Sequence, residues 1–192
     1  MRITTCLTTL LLVAFAQGAH AQSPYEKFEL GVHYTTLRVS EKSDQDSGVG
    51  ARFTYNLNQY LGVEAEVNAL PQSREGGGQN EVQGFFGARA GIRKKNYGLF
   101  VKARPGYNRF YLLGVTPGPN AFEQGHTRFV LDLGGVVEYY PNHNLALRLD
   151  VGNTMIRYKP GDFFYQRLDQ PMFVNKEFSH NLQITLGFAF RF

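Results

Sequence analysis

A strict alternation of apolar with polar or small residues at the C-terminal end limits the possible folds more than any other feature. In residues 181–192, every even position holds Leu, Ile or Phe, and the odd positions hold Asn, Gln, Thr, Gly, Ala or Arg. A period of two indicates a β-strand with one apolar face and one polar face. At a tilt near 40°, about 11 strand residues rise roughly 25 Å, which is the height of the apolar band of an outer-membrane barrel.

Seven earlier segments show the same alternation, and they are residues 28–35, 49–57, 61–69, 86–92, 99–106, 129–139 and 145–152. Short connectors near residues 58–59, 94–96 and 141–144 alternate with long, turn-rich ones at 40–47, 70–81, 112–126 and 159–179. Short turns on one side and long loops on the other are typical of transmembrane barrels. We therefore predict an all-β fold, an eight-stranded antiparallel up-and-down transmembrane β-barrel. A soluble lipocalin-type barrel would show the same alternation in the opposite sense.

The N-terminal residues predict export from the cytoplasm. Arg2 precedes an apolar run at residues 7–15, and Ala19-His20-Ala21 has the small-x-small pattern of a signal-peptidase site. We expect residues 1–21 to be a cleaved signal peptide and residues 22–192 to be one outer-membrane barrel domain. Because Cys6 lies inside the apolar run, the mature chain would contain no cysteine and no disulfide.

The charge of the chain is mild and gives little indication of a partner. The formal net charge is +4, and the basic residues are spread along the sequence rather than clustered, so we expect no nucleic-acid partner. After residue 21 there is no apolar run of about 18 residues, so the sequence predicts no transmembrane helix.

The face opposite the apolar residues carries a balanced set of charges. The alternation places six acids and six bases there: Glu29, Glu64, Glu66, Asp132, Glu138, Asp150, Arg52, Arg89, Lys102, Arg104, Arg148 and Arg191. The lumen of an eight-stranded barrel is only just wide enough for side chains, and a buried charge without a partner is costly. We therefore predict a lumen charge network that plugs the barrel, with a narrow gated pore as the alternative.

Aromatic residues near the strand ends predict two interfacial girdles. At the short-turn end these are Phe28, Tyr55, Tyr60, Tyr97, Tyr139, Tyr140 and Phe192, and nearer the long loops they are Tyr107, Tyr111 and Tyr158. Amphipathic rings suit the headgroup region on either side of a membrane.

Candidate catalytic and metal sites are weak in this sequence. Glu64 and Glu66 would lie roughly 7 Å apart on one face, within the range of glycosidase carboxylates, but nearby basic side chains explain the pair better. The histidines lack metal-ligand spacing. Ser179 and His180 are neighbours, so on a strand they point to opposite faces and cannot act as nucleophile and base. We expect no catalytic residue, no metal and no cofactor.

The signal peptide, the eight alternating segments and the terminal Gly187-Phe188-Ala189-Phe190-Arg191-Phe192 resemble the outer-membrane β-barrel proteins of OmpA/OmpX type. The resemblance implies a Gram-negative outer membrane, contact with its lipid and lipopolysaccharide, and recognition of Phe188, Phe190 and Phe192 by the barrel-assembly machinery. It implies no single activity. The function that we expect is structural or surface-interacting and not enzymatic. The alternatives are a lipid-modifying enzyme resembling the lipid A deacylases and a narrow porin-like channel.

Overall fold

The computed structural model describes residues 25–39, 44–71, 78–113, 127–158, 163–167, 170–173 and 178–192. These residues form ten β-strands: β1 (Phe28–Val39), β2 (Asp44–Asn56), β3 (Leu61–Leu70), β4 (Gly78–Arg93), β5 (Tyr97–Leu113), β6 (Thr127–Asn142), β7 (Leu145–Arg157), β8 (Phe163–Arg167), β9 (Gln170–Phe173) and β10 (Phe178–Arg191). Within this part of the chain, no helix is long and apolar enough to cross a membrane. The predicted signal peptide lies outside the described residues.

Eight of the strands close into the predicted antiparallel barrel. Strands β1 to β6 each pair with the next, β7 pairs with β10, and β10 pairs with β1. At the closing seam, the backbone N–H of Phe28 donates to the carbonyl of Phe192, and the N–H of Phe192 donates to the carbonyl of Phe28, both at 2.9 Å. Closure leaves no barrel strand with an open edge, which is what a sheet in lipid requires.

The strand register sets the tilt of the barrel. Following paired residues from Phe28 once round through β2, β3, β4, β5, β6, β7 and β10 returns to β1 at Arg38, ten residues further along the strand. For eight strands this stagger corresponds to a tilt of about 40°. Residues paired across neighbouring strands therefore lie at different heights in the membrane.

Several strands extend further than the hydrophobic alternation predicts. Strand β2 begins at Asp44, β4 begins at Gly78 and β5 ends at Leu113, so parts of the predicted loops are strand. The predicted last loop, residues 159–179, contains the hairpin β8–β9 and the start of β10. Beyond the apolar band a hairpin keeps its hydrogen-bonded ladder but no longer needs an apolar face, so periodicity does not reveal it.

The sense of the alternation is that of a membrane barrel. Large apolar side chains point outward and are exposed, including Leu30 at 56%, Val101 at 67% and Leu186 at 62%. Charged side chains on the same strands point inward and are buried. A lipocalin-type barrel has the opposite arrangement, so that alternative is wrong.

The aromatic residues follow the girdle prediction with two corrections. Outward-facing rings at the short-turn end include Tyr60, Tyr97 and Tyr139, and Tyr107 points outward nearer the loops. Tyr140 and Tyr158, however, face the lumen and are buried. Tyr140 is the neighbour of Tyr139 on β6, and alternation sends adjacent side chains to opposite faces. Tyr111 lies outside the residues whose side chains are described.

Candidate functional site

The barrel lumen brings together all twelve charged residues that the alternation places on the inward face. Each of them is at most 5% exposed, and each takes part in at least one ion pair. Arg93 joins them, although the sequence analysis did not include it. It lies four residues after Arg89 on β4, beyond Gly91, and this even spacing places both arginines on the same inward face.

The lower part of the network lies near the short turns. The Nη2 atoms of Arg89 and Arg93 each lie 3.0 Å from the carboxylate of Glu29. Arg89 also pairs with Glu138 through its other terminal nitrogen. The hydroxyl of Tyr140 donates to Glu138 at 2.6 Å. The carboxylates in this cluster therefore each have more than one donor, as buried charges require.

Arg148 connects the lower cluster to the middle of the lumen. Its Nη1 lies 3.3 Å from Glu138, and its Nη2 donates to Glu64 at 3.0 Å and to Asp150 at 2.8 Å. Arg52 then donates from Nη1 to Asp150 at 2.8 Å. A planar guanidinium with five donors suits this position, because one side chain bridges several carboxylates.

The upper part of the network is centred on Arg104. This side chain is fully buried and donates to Glu66 at 2.7 Å and to Asp132 at 2.6 Å. Lys102 lies 2.9 Å from Asp132, and Arg52 lies 3.3 Å from Glu66. Acids and bases thus alternate in contact from the short-turn end to beyond the middle of the barrel. We call this connected set of the twelve residues and Arg93 the ion-pair core.

Small residues on the inward face give the long side chains room. A Cβ added at Gly87 would lie 2.6 Å from the Cα and 3.0 Å from the Cγ of Arg104. A Cβ at Gly50 would lie 2.4 Å from the Nε2 of His33. These approaches are too close for any side chain, so glycine at both positions permits the packing of the lumen.

A layer rich in amide side chains, the amide layer, lies on the loop side of the ion-pair core, and it includes the buried carboxylate of Glu81, which accepts from Gln83 at 2.8 Å. A ring nitrogen of His33 and the Oδ1 of Asn68 are 2.6 Å apart, and Asn68 donates to Gln83 at 3.3 Å. Gln183 donates to Thr35 at 3.1 Å. It also donates to Gln83 at 3.4 Å, which joins β10 to β4 across the lumen. The sequence analysis placed His33 in the lumen but did not identify this amide layer.

Apolar side chains form two clusters on the inward face towards the loop end, beside the buried charged side chains of Asp46, Glu81 and Arg128. The clusters are Leu37 with Leu70, and Phe85 with Val130, Ile156 and Tyr158. We call these six residues the apolar cap. The sequence analysis missed the cap because it treated inward positions as polar. The sequence did place these side chains inside the barrel, because Leu37 is an even number of residues from Glu29 and so lies on the same face of β1.

The described residues give no support to the catalytic alternatives. Ser179 is buried and its Oγ donates to Asn181 at 3.0 Å. His180 is exposed on the outer face, where its Nδ1 lies 2.9 Å from the Nδ2 of Asn153. Glu64 and Glu66 are held by arginines rather than aimed into a cleft. His126 and the residues around it lie outside the described part of the chain.

Comparison with known proteins identifies the class. The chain matches the outer membrane protein beta-barrel domain family over residues 7–192 and belongs to that family. The prediction of an outer-membrane barrel is therefore confirmed, and family membership implies an outer-membrane location. A search of curated proteins finds no match.

Solved structures of outer-membrane barrels are similar in fold. Ail, the attachment invasion locus protein of Yersinia pestis, superposes with a TM-score of 0.54 at 15% identity, covering 88% of this chain and 99% of that one. Neisserial surface protein A gives 0.55 at 13% identity, covering 86% and 96%. OprG from Pseudomonas aeruginosa gives 0.54 at 12% identity, covering 89% and 99%. Such identities show a shared fold and nothing finer.

Proposed function

We propose that this protein is a non-enzymatic outer-membrane barrel with a structural or surface-interaction role, whose lumen is closed to ions. The observation that carries the proposal is the continuous contact of acids and bases across the lumen, followed by the amide layer and the apolar cap. An ion passing through the ion-pair core would have to separate buried pairs.

The electrostatics of the ion-pair core favour a plug over a pore. A conducting lumen presents charges to water, which screens them and lets them move independently. Here Arg104 is 0% exposed and Arg89 is 1% exposed, and both lie between carboxylates. Charges in a dry interior attract each other far more strongly than in water, so the pairs hold each other in place.

A closed lumen leaves the exterior loops and the outer wall as the surfaces that meet partners. The similar fold of a protein called an attachment invasion locus protein fits a role carried by loops on a rigid barrel. Membrane lipid and lipopolysaccharide surround the wall. The exposed rings of Phe188 and Phe190 on β10 and of Phe192 just after it provide the outward-facing aromatic signal that the barrel-assembly machinery would recognise.

Planar-bilayer recording tests the closed lumen. Wild-type protein should show little conductance, and Glu64→Ala with Glu66→Ala should raise it, because Arg104 and Arg148 lose partners that hold them across the lumen. The matched control is Lys94→Ala with Lys95→Ala, which removes two exposed charges from a short turn and should leave conductance unchanged. A large wild-type conductance that the acidic variant does not alter would replace the plug with an open channel.

Export through a cleaved signal peptide is tested separately. Intact-mass measurement of the protein extracted from outer membranes should give a chain that begins at Gln22. A mature chain that retains residues 1–21 would show that the N-terminal segment is not removed.

A further inference from the structure

His33 differs from the other lumen residues because the charge of an imidazole changes near neutral pH. It lies on the inward face of β1 and is 5% exposed. An imidazole in water gains its proton near pH 6.5, whereas a carboxyl does so about two units lower and a guanidinium keeps its proton. Among the described side chains, the other histidines, His143 and His180, are exposed outside the lumen. His33 is therefore the lumen side chain whose ordinary chemistry responds to modest acidification.

Hydrogen bonds around the ring specify its neutral form. Asn68 donates through Nδ2 to Glu66 at 3.0 Å and to Gln83 at 3.3 Å. Its Oδ1 is thus the atom that lies 2.6 Å from Nε2 of His33, so Nε2 carries a proton and donates it to this oxygen. A neutral ring has only one such proton, so Nδ1 has none. Nδ1 is buried and has no hydrogen-bond partner among the described residues.

The backbones of two neighbouring strands lie directly against this side chain. A Cβ added at Gly50 of β2 would lie 2.4 Å from Nε2 of His33, and one added at Gly187 of β10 would lie 2.4 Å from the Cβ of His33. Such approaches leave space for no residue larger than glycine. The two neighbouring strands therefore present no side chain beside the ring that could accept a hydrogen bond from Nδ1.

The charges that face His33 already compensate one another. An oxygen of Glu66 on β3 lies 3.8 Å from Nε2, and Arg52 on β2 and Asp150 on β7 also act electrostatically on the ring. Arg52 lies 3.3 Å from Glu66 and 2.8 Å from Asp150. Arg104 on β5 donates to Glu66 at 2.7 Å. A proton on Nδ1 would therefore add a buried charge whose nearest acids are already paired, and a buried donor without an acceptor.

His33 lies at the junction between the ion-pair core and the amide layer. Asn68 joins the two, because it donates to the core on one side and to Gln83 on the other. Gln83 donates to Glu81 on the same strand and accepts from Gln183 of β10 across the lumen. Water that entered here to solvate a charged imidazole would compete for these hydrogen bonds, and they are the contacts that span the lumen at this level.

We propose that the lumen is gated by protons: it is closed while His33 is neutral, and protonation of His33 opens the junction between the ion-pair core and the amide layer to water and ions. The inference rests on the proposed closure of the lumen at neutral pH and adds a condition under which closure is lost. The closed state excludes the proton and the open state accepts it, so the ratio of open to closed barrels rises as the pH falls below about 6.5. Linkage gives a rise of about tenfold between pH 7.5 and pH 5.5.

Planar-bilayer recording of the full barrel at pH 7.5 and at pH 5.5 tests the gate. The mean current through wild type should be small at pH 7.5 and about tenfold larger at pH 5.5. His33→Gln keeps an amide donor but cannot take up the proton, so its current should change by less than about twofold. The matched control His143→Gln removes an exposed histidine from a short turn and should respond to pH like wild type.

The protonation of the ring is measured separately on wild type, so that the test does not depend on the folding of a variant. Nitrogen NMR of histidine-labelled barrel in nanodiscs should show an unprotonated Nδ1 of His33 at pH 7.5, and its protonation should accompany the rise in current. The gate is overturned if wild type stays closed at both pH values, if His33→Gln keeps the tenfold rise, or if Nδ1 carries a proton at pH 7.5. A large wild-type current at pH 7.5 would overturn the closed lumen itself, and the gate with it.

Discussion

The inward and outward faces of the same strands are built on opposite rules. On β7, Leu147 and Leu149 are exposed on the outer wall, while Arg148 and Asp150 between them are buried and paired. Among the described side chains, the outer face carries no charge within the apolar band, whereas the inner face contains charges and pairs them. Each strand therefore meets two environments, one on each face. The face on which a substituted residue lies, which follows from its odd or even position, decides the cost of the substitution more than the chemistry of the new side chain does.

Both faces change character at the loop end of the barrel. The inner face gains the apolar cap, formed by Leu37, Leu70 and four further residues, beside buried charges such as Asp46, and the outer face becomes basic at Arg38 and Arg157. Outside the apolar band, water and headgroups can solvate basic side chains on the outer wall.

The largest effect is expected on the inner face, from Arg104→Met. The substitution removes the guanidinium that Glu66 and Asp132 share, and leaves the two buried carboxylates with fewer cationic partners. Breaking a buried pair by removing one partner costs about 3–5 kcal/mol. Urea unfolding from phosphatidylcholine vesicles should show this loss. The control Arg38→Met removes an exposed arginine and should change stability by about 0.5 kcal/mol or less. Equal losses in both variants would show that the inner face does not depend on pairing.

A smaller loss is expected on the outer face, from Leu149→Arg. Leu149 is 40% exposed on the wall of β7, and an arginine on the lipid face near the midplane costs about 2–4 kcal/mol. The matched control is Thr127→Arg, at the exposed loop end of β6, where the cost should be about 0–1 kcal/mol. The same unfolding measurement compares them. Indistinguishable stabilities would mean that the outer wall at Leu149 does not meet lipid.

The smallest of these losses is expected in the apolar cap, from Ile156→Val. Ile156 is 1% exposed, and removing one buried methylene typically costs about 0.5–1.5 kcal/mol. Because the cap carries no ion pair, the loss should stay the same between low and high salt. A loss above about 3 kcal/mol, or one that depends strongly on salt, would show that the cap is coupled to the charges below it.

The sequence was sufficient for the architecture because period-two alternation is a local property. Counting residues is enough to give the eight segments, their two faces and the inward position of residues such as Glu64 and Arg148. Counting does not give the partner of each charge, because pairing depends on the register and tilt of the strands. Arg148 and Glu64 are 84 residues apart in sequence and meet across the lumen. The apolar cap was missed for a related reason, since parity gives the face but not whether the neighbours at that height are polar.

The most direct test of the paired lumen is a double-mutant cycle on Arg104 and Asp132. Their side chains are each 0% exposed and joined by hydrogen bonds of 2.6 and 2.9 Å. The free energy of unfolding from phospholipid vesicles is measured for wild type, Arg104→Met, Asp132→Asn and the double variant. If the charges compensate each other, the double variant should be more stable than the sum of the single losses predicts, by at least about 1 kcal/mol. Losses that add to within about 0.5 kcal/mol would contradict the account, because the two charges would then contribute independently.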